Sequence, residues 1–374
     1  MISAAAQLLS VQMGLTVGVI KQVPNQPIVF KNDPTKKRRT EDSIIAHTWN
    51  TFVKDENASP EMLLRYPMTK AVVRAMDTIQ EVTRKVAAHT NITKFIIAGA
   101  SKRGWTTWTT TSLDKRVVGQ MPMVMSLLRF FKNMQKHQSS LGGWTFAFQA
   151  YYYENITRYM GHPRMKEIVS LVDPYDFIDK YTIPTMMVDG TSDQFFLPDD
   201  SHLFFSQIPG PKYMLMLPNR DHSLIPFLDA LAAMKAFAVG VATGFKFPRV
   251  SWQLIETPTG GKIVFNSSDV KPTHISSYAA VTATADRRDF RANYGVKARP
   301  SYVFWYQYNV VDEGNGIYVA EFDKPDKGWL GFLVEAVYKG PFGHPLTLTS
   351  EVNIIPNTFP YPPCHGEGCY ETLV

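Results

Sequence analysis

The segment Phe95–Trp105 (FIIAGASKRGW) constrains the fold of this chain more than any other stretch. An apolar run typical of a buried strand is followed by a turn of small residues that carries the Ser101 hydroxyl. Gly99, Ala100 and Gly104 leave room for backbone and helix to approach closely beside the serine. The usual pattern is G-x-S-x-G, and here the second glycine comes one residue late. The segment predicts a nucleophile elbow, the strand–turn–helix that presents a reactive serine.

The composition describes an ordinary globular protein with more than one core. The chain has 374 residues, of which 45% are hydrophobic and 19% are charged. A chain of this length predicts two domains. The net charge is +6, but the basic residues are scattered, and the one basic cluster, 36–39, sits beside Asp33 and Glu41. A nucleic-acid partner is not expected, because such partners require a concentrated basic face.

The two cysteines, Cys364 and Cys369, both lie close to the C-terminus. They either close a small disulfide loop in an exported protein or remain free thiols, and the sequence leaves both alternatives open. With His365 they make only a weak set of metal ligands in a terminal tail, so neither a metal nor another cofactor is expected.

No apolar run reaches the roughly 18 residues that are needed to span a bilayer. Ala4–Leu9 lacks a basic flank and contains Gln7, so it predicts a helix rather than a signal peptide. Asn-x-Ser/Thr motifs, for example at Asn91 and Asn155, are compatible with secretion. An extracellular location is therefore expected, with a signal peptide absent from the sequence at hand.

Up to residue 244 the apolar periodicity alternates between strands and helices, which predicts a mostly parallel sheet covered by helices on both faces. The predicted helices are Met1–Met13, Glu41–Val53, Met68–Val86, Thr106–Leu113, a helix around Asp200–Ser206 and Leu228–Val241; the predicted strands are Leu15–Ile20, Lys94–Ala98, Arg116–Met125, Thr185–Val188 and Tyr213–Leu217.

Two further regions depart from this alternation. Residues 126–182 are rich in aromatic side chains and helical, and they form either a lid inserted over the site or simply part of the core. Residues 245–360 show period-two runs between turns, which predict an immunoglobulin-like β-sandwich. Residues 361–374 are expected to be a flexible tail.

Three residues have the chain order of an α/β-hydrolase triad, namely Ser101, Asp193 and His222. Each follows a predicted strand, and the carboxyl ends of such strands meet at one edge of the sheet. A serine hydroxyl needs an adjacent base, and the base needs a carboxylate that fixes its tautomer. Ser101 as a mere helix cap is the plain alternative. Other carboxylates compete with Asp193 for the acid position: Asp189, Asp199, Asp200 and Asp221.

The residues after Ser101 are candidates for transition-state and substrate contacts. The backbone N–H of Lys102 is the expected oxyanion donor. The Lys102 and Arg103 cations, unusual at a helix start, either attract an anionic substrate group or pair with acidic neighbours. Trp105 is a third candidate substrate-binding residue. The second oxyanion donor normally precedes the first helix of the sheet, so either further strands are expected before residue 1 or the fold is arranged differently.

Several motifs together resemble one known family. They are Val23-Pro24-Asn25-Gln26-Pro27, Glu41–Ala46, Gly99–Trp108, Asp173-Pro174-Tyr175, Asp189–Asp200 and Asp286–Arg291. In these motifs the chain resembles the PhoPQ-activated pathogenicity-related family, which includes the autocrine proliferation repressor proteins. The resemblance implies an α/β-hydrolase-like domain followed by a β-sandwich, in exported proteins, with the family's serine, aspartate and histidine at Ser101, Asp193 and His222.

Two functions are consistent with these residues. The first is a serine hydrolase that cleaves an ester or amide bond of a small-molecule or peptide substrate through an acyl-enzyme. The second is a secreted growth-regulating protein that uses an inactive hydrolase scaffold and binds a cell-surface partner. An intact Ser–Asp–His set favours the first, because function is decided by the site rather than by the fold.

Overall fold

The computed structural model describes residues 2–87, 90–370 and 372–374; Met1 of the first predicted helix lies outside them. No helix among these residues is long and apolar enough to cross a membrane. The α-helices are α1 (Ile2–Met13), α2 (Asp42–Lys54), α3 (Arg65–Val86), α4 (Lys102–Leu113), α5 (Phe130–Leu141), α6 (Gln149–Tyr153), α7 (Pro163–Val172) and α8 (Leu228–Thr243).

The strands are β1 (Ile28–Val29), β2 (Arg38–Arg39), β3 (Phe95–Ala100), β4 (Val117–Met123), β5 (Thr185–Gly190), β6 (Lys212–Leu217), β7 (Ser251–Glu256), β8 (Gly260–Asn266), β9 (His274–Val281), β10 (Asn293–Tyr294), β11 (Arg299–Pro300), β12 (Tyr306–Tyr308), β13 (Val311–Gly314), β14 (Ile317–Asp323), β15 (Leu330–Lys339), β16 (Pro345–Thr349) and β17 (Asn353–Ile355).

The first half of the chain forms a parallel sheet with the order β3-β4-β5-β6. Strand β5 is buried along its whole length, as expected for a strand covered on both faces. Helix α4 follows β3 directly and α8 follows the last parallel strand. The predicted α/β architecture is therefore confirmed, and it brings the carboxyl ends of β3, β5 and β6 to one edge of the sheet.

Two predicted elements differ from the structure. Leu15–Ile20 is not a strand, since a strand needs a neighbour for its backbone hydrogen bonds and no described strand pairs with this segment. The side chains of Val19 and Ile20 are each 44% exposed. The helix expected around Asp200–Ser206 is two short 3₁₀ turns, Asp200–Leu203 and Phe205–Gln207.

Residues 126–182 contain α5, α6 and α7, and most of their aromatic side chains belong to the core. Trp144 is fully buried, and Phe130 and Phe148 are nearly so. The Asp173 carboxylate accepts hydrogen bonds from the backbone N–H of Phe130 at 2.7 Å and of Tyr175 at 2.9 Å. It therefore ties the start of α5 to the end of α7.

The C-terminal region consists of antiparallel sheets, one with the order β13-β14-β8-β7 and one with the order β12-β9-β15-β16, in which β17 also pairs with β15. One apolar cluster joins these sheets to the parallel sheet: it includes Val188 and Leu215 from the parallel strands, Phe237 from α8, and Phe265 and Phe332 from the antiparallel strands.

The last residues pack against the rest of the chain, in contrast to the flexible tail expected from the sequence. The Trp144 N–H donates to the carbonyl of Thr372 at 2.9 Å, and the Val374 N–H donates to the carbonyl of Trp144 at 2.7 Å. Cys364 and Cys369 form a disulfide. Buried apolar contacts and backbone hydrogen bonds thus compensate for the entropy lost when the tail is ordered.

A methyl group at Gly104 has no room. A Cβ built there would lie 2.8 Å from the Met125 Cβ and 2.9 Å from the Met123 carbonyl oxygen. We expect Gly104→Ala to lower the free energy of unfolding by about 1–3 kcal/mol, as overpacking does. Gly368→Ala is the matched control, because its Cβ would meet no atom within 4 Å. Equal urea midpoints for the two variants would contradict this packing.

Candidate active site

Ser101 occupies a sharp turn between β3 and α4, with φ 56° and ψ −128°. A residue other than glycine rarely adopts a positive φ, so the turn is strained and is held by its surroundings. The Ser101 N–H donates to the carbonyl of Met123 at 2.9 Å, and its own carbonyl accepts from the Trp105 N–H at 3.0 Å. A Cβ at Gly99 would lie 2.5 Å from the Arg103 carbonyl oxygen, so only glycine fits there.

Asp193 and His222 are in direct contact. The His222 Nδ1 lies 2.9 and 2.8 Å from the two carboxylate oxygens of Asp193. The same carboxylate accepts from the backbone N–H of Phe195 at 2.6 Å and of Phe196 at 3.2 Å, and its side chain is 2% exposed. Because an ionised carboxylate can only accept, Nδ1 carries the proton and Nε2 keeps its lone pair.

Ser101 lies on a cavity whose wall includes Phe195 and Phe196, the two rings that flank His222. Their ring centroids lie 4.2 and 5.9 Å from that of His222. The buried Nε2 of His222 has no hydrogen-bond partner among the described residues, so the bond between Ser101 and this nitrogen is not formed here. In enzymes without substrate such bonds are often long and tighten when substrate binds.

The competing carboxylates have other hydrogen-bond partners. Asp189 accepts from Ser126 Oγ at 2.7 Å, Asp199 accepts from Arg288 Nη2 at 2.5 Å, Asp200 lies 3.2 Å from Lys136 Nζ, and Asp221 accepts from Ser223 Oγ at 2.6 Å. The carboxylate that contacts the imidazole of His222 is that of Asp193, and not that of one of these four competitors.

Burial raises the pKa of Asp189 to about 7, above the value of about 3.9 in an unfolded chain. Between these two values the folded chain holds a proton that the unfolded chain has lost. The contribution of Asp189 to the free energy of unfolding is therefore present at low pH and is lost as the pH rises from about 4 through about 7.

We expect Asp189→Asn, which stays neutral, to show a smaller loss of stability than the wild type between about pH 5 and about pH 8. Urea unfolding at the two pH values measures this. Asp229→Asn is the control, since Asp229 is half exposed in a surface ion pair with Arg220. If the stability of Asp189→Asn falls with pH as much as that of the wild type, the expectation is contradicted.

The two cations after Ser101 are paired with acidic residues at the start of α2. Lys102 Nζ lies 2.9 Å from Glu41 Oε2 and 3.4 Å from Asp42 Oδ2, and the Lys102 side chain is 8% exposed. Arg103 donates two hydrogen bonds to the Glu41 carboxylate at 2.8 and 3.0 Å. Burial alone would raise the pKa of Glu41. The hydrogen bonds from Arg103, Gln26 and Lys102 more than offset this effect and lower the pKa to about 2.

Trp105 is buried and its indole is fixed on both sides. Its Nε1–H donates to the Val172 carbonyl at 2.6 Å, and the Arg65 guanidinium lies 3.8 Å from the ring centroid. Arg65 also donates to the carbonyl of Lys102 at 2.9 Å, and burial lowers its pKa to about 10. The Trp105 side chain therefore forms part of a rigid wall beside Ser101.

Gln194 is a site residue that the sequence did not indicate. Its Oε1 accepts from the His222 N–H at 3.0 Å, and its Nε2 donates to Asp221 at 3.3 Å and to Asn293 at 3.0 Å. It links the histidine loop to the C-terminal region. Its position directly after Asp193 is the one sequence feature that points to a role in the site. That feature is weak, because glutamine side chains form hydrogen bonds in many parts of a protein.

Within the residues that the structure describes, no three His, Cys, Asp or Glu side chains are grouped as a metal ion would require.

Solved structures of hydrolases match part of this chain. Acetyl xylan esterase 1 from a Thermoanaerobacterium species has a TM-score of 0.38 at 16% identity, covering 55% of this chain and 59% of that chain. The puromycin-hydrolyzing peptidase of Mycobacterium tuberculosis has a TM-score of 0.34 at 17% identity, covering 46% of this chain and 25% of the other.

Sequence comparison gives a nearer relative. Autocrine proliferation repressor protein A of Dictyostelium discoideum is 35% identical over 369 residues, which cover 95% of this chain and 73% of that protein. The model of the PhoPQ-activated pathogenicity-related protein family matches residues 2–291, a range that includes the elbow, Asp193 and His222. These two matches show that the chain belongs to the PhoPQ-activated pathogenicity-related protein family.

Proposed function

We propose that this protein is a serine hydrolase that cleaves an ester or amide bond through an acyl-enzyme. The observation that carries the proposal is the contact of Asp193 with His222 Nδ1, at the same edge of the parallel sheet as the strained elbow that carries Ser101. The buried carboxylate fixes the tautomer in which Nε2 is a base, and a base is what a serine nucleophile requires.

The reaction has two steps. The Ser101 Oγ attacks the carbonyl carbon and forms a C–O bond, while its proton moves to His222 Nε2. The bond to the leaving group breaks, and that proton leaves with the alcohol or amine. Water then gives a proton to Nε2 and adds to the acyl carbon; the acid departs, and the proton returns to Oγ. Asp193 holds the imidazolium that forms in each step.

The backbone N–H of Lys102 is the proposed oxyanion donor. Lys102 is the first residue of α4, and the first N–H groups of a helix have no partner within the helix. The N-terminal end of a helix also carries a partial positive charge. An oxyanion that develops beside Ser101 would therefore be stabilised by a donor that is already in place.

A fluorophosphonate probe tests the proposal. We expect covalent labelling of the purified protein at Ser101, located by mass spectrometry of the labelled peptide. Prior denaturation is the control and should abolish labelling, since reactivity depends on the folded pair Asp193–His222. A folded protein that is never labelled would contradict the proposal.

A second candidate is a growth-regulating role on the same scaffold. The name of the Dictyostelium relative favours it, and so does the absence of a bond between Ser101 and His222 Nε2 among the described residues. In that case the partner is a cell-surface protein, and a Ser101→Ala protein added to cells should slow proliferation as strongly as the wild type.

We also propose an extracellular location, because the Cys364–Cys369 disulfide suits an oxidising compartment. The proposed organisation is a hydrolase-like domain over residues 1–244 and a β-sandwich over residues 245–360.

A further inference from the structure

A small cavity adjoins Ser101, and its volume is about 50 Å³. Its wall consists mainly of aromatic rings, methionines and aliphatic side chains, drawn from α2, α4, α5 and the aromatic-rich stretch that follows. The lining includes Trp49, Trp105, Met134, Phe148, Ile156 and Met160. A group bound covalently to Ser101 Oγ would extend into an apolar space.

Some of the polar residues at this cavity are paired with one another, and others are not. Lys102 Nζ is bound by Glu41 and Asp42, and the Tyr151 hydroxyl donates to Asp42 Oδ1 at 3.1 Å. Arg65 donates to the Lys102 carbonyl. Trp49 Nε1, Arg65 Nε and Thr157 Oγ1 also belong to lining residues and have no hydrogen-bond partner among the described residues, so a few polar groups remain on an otherwise apolar wall.

The walls are fixed in position. The Trp105 Nε1–H donates to Val172, and the Trp144 Nε1–H donates to the carbonyl of Cys369 at 2.7 Å. Trp49 packs edge-on against Trp105 at a centroid distance of 6.0 Å. Rings held in this way do not move aside easily, because packed interiors are dense and resist local expansion. The size of the cavity therefore limits what enters it.

An apolar cavity of about 150 Å³ holds a benzene ring, so a cavity a third of that size accepts only a few carbons. Building on the acyl transfer proposed above, we propose that the site takes short aliphatic acyl groups of about two to four carbons. Aromatic and long-chain acyl groups are excluded by the walls.

The test is a series of p-nitrophenyl esters with the same leaving group: acetate, butanoate, hexanoate and octanoate. We expect kcat/KM to be highest for acetate or butanoate and to fall by about tenfold or more at octanoate, since excluding even one methylene changes rates by about 10- to 200-fold.

Enlarging the cavity should change this preference. Met160→Ala removes a partly buried side chain from the lining and is expected to raise the hexanoate-to-butanoate ratio by about tenfold. Met134→Ala, on α5, is the second variant and should act in the same direction. Met62→Ala is the matched control, because Met62 is also partly buried but lies outside the lining.

The outcomes separate this inference from the function on which it rests. Two results would overturn the inference but leave the proposed hydrolase standing. The first is hydrolysis of octanoate as fast as acetate, and the second is a chain-length preference that stays unchanged in both cavity variants. If the fluorophosphonate labels Ser101 but no short ester is hydrolysed, the inference is again overturned while the proposed hydrolase stands. If the protein is not labelled and also hydrolyses no ester, both the proposed hydrolase and this inference are overturned.

Discussion

Replacing Ser101 with alanine is expected to lower kcat/KM for a short ester by about 10⁴-fold or more. The hydroxyl oxygen forms the bond to the acyl carbon, and no neighbouring group can take its place. The fold should be retained, because the serine side chain makes no capping hydrogen bond and the turn is held by its backbone and by Gly99 and Gly104. Ester hydrolysis and urea unfolding, measured on the same preparation, check both parts.

The matched control is Ser112→Ala. Ser112 lies at the far end of the same helix, where its hydroxyl donates to the carbonyl of Thr109 at 2.9 Å. It should hydrolyse the ester at the wild-type rate. Hydrolysis by Ser101→Ala at more than about a tenth of the wild-type rate would mean that another residue carries the chemistry.

Replacing Asp193 with asparagine is expected to lower kcat by about 10³- to 10⁴-fold while leaving the fold intact. The asparagine Oδ1 can still accept from the N–H groups of Phe195 and Phe196. Its amide nitrogen, however, is a donor, so it would favour the histidine tautomer in which Nδ1 accepts and Nε2 is protonated. That Nε2 cannot take the proton of Ser101.

Asp221→Asn is the control for this change. Asp221 precedes His222 and is bound by Ser223 and Gln194, so it tests charge near the histidine without altering the ring's own partner. We expect a decrease of less than about tenfold. If kcat falls equally in the two variants, the Asp193 carboxylate acts through its negative charge and not by fixing the tautomer of His222.

Local pattern predicted much of the structure of residues 2–244. Helix and strand periodicities are properties of neighbouring residues, so α2, α3, α4 and α8 appear within a few residues of their predicted bounds. The same is true of β3, β5 and β6, each followed by a candidate site residue. Leu15–Ile20 has the composition of a strand as well, but a strand exists only where a partner pairs with it.

The charged residues at the elbow show the limit of this reasoning. Lys102 and Arg103 were open to two interpretations, because a sequence does not state which acidic side chains come within reach. Packing brings Glu41 against both cations and Asp42 against Lys102, and the cavity beside Ser101 is lined mainly by apolar side chains.

The sequence by itself determined the strand–turn–helix around Ser101 and the chain order of serine, aspartate and histidine, because both are written in local composition and spacing. Only the tertiary structure decided which aspartate meets His222, which groups neutralise Lys102, how small the space beside Ser101 is, and that the tail packs on Trp144. These depend on contacts between residues tens to hundreds of positions apart, which no local pattern encodes.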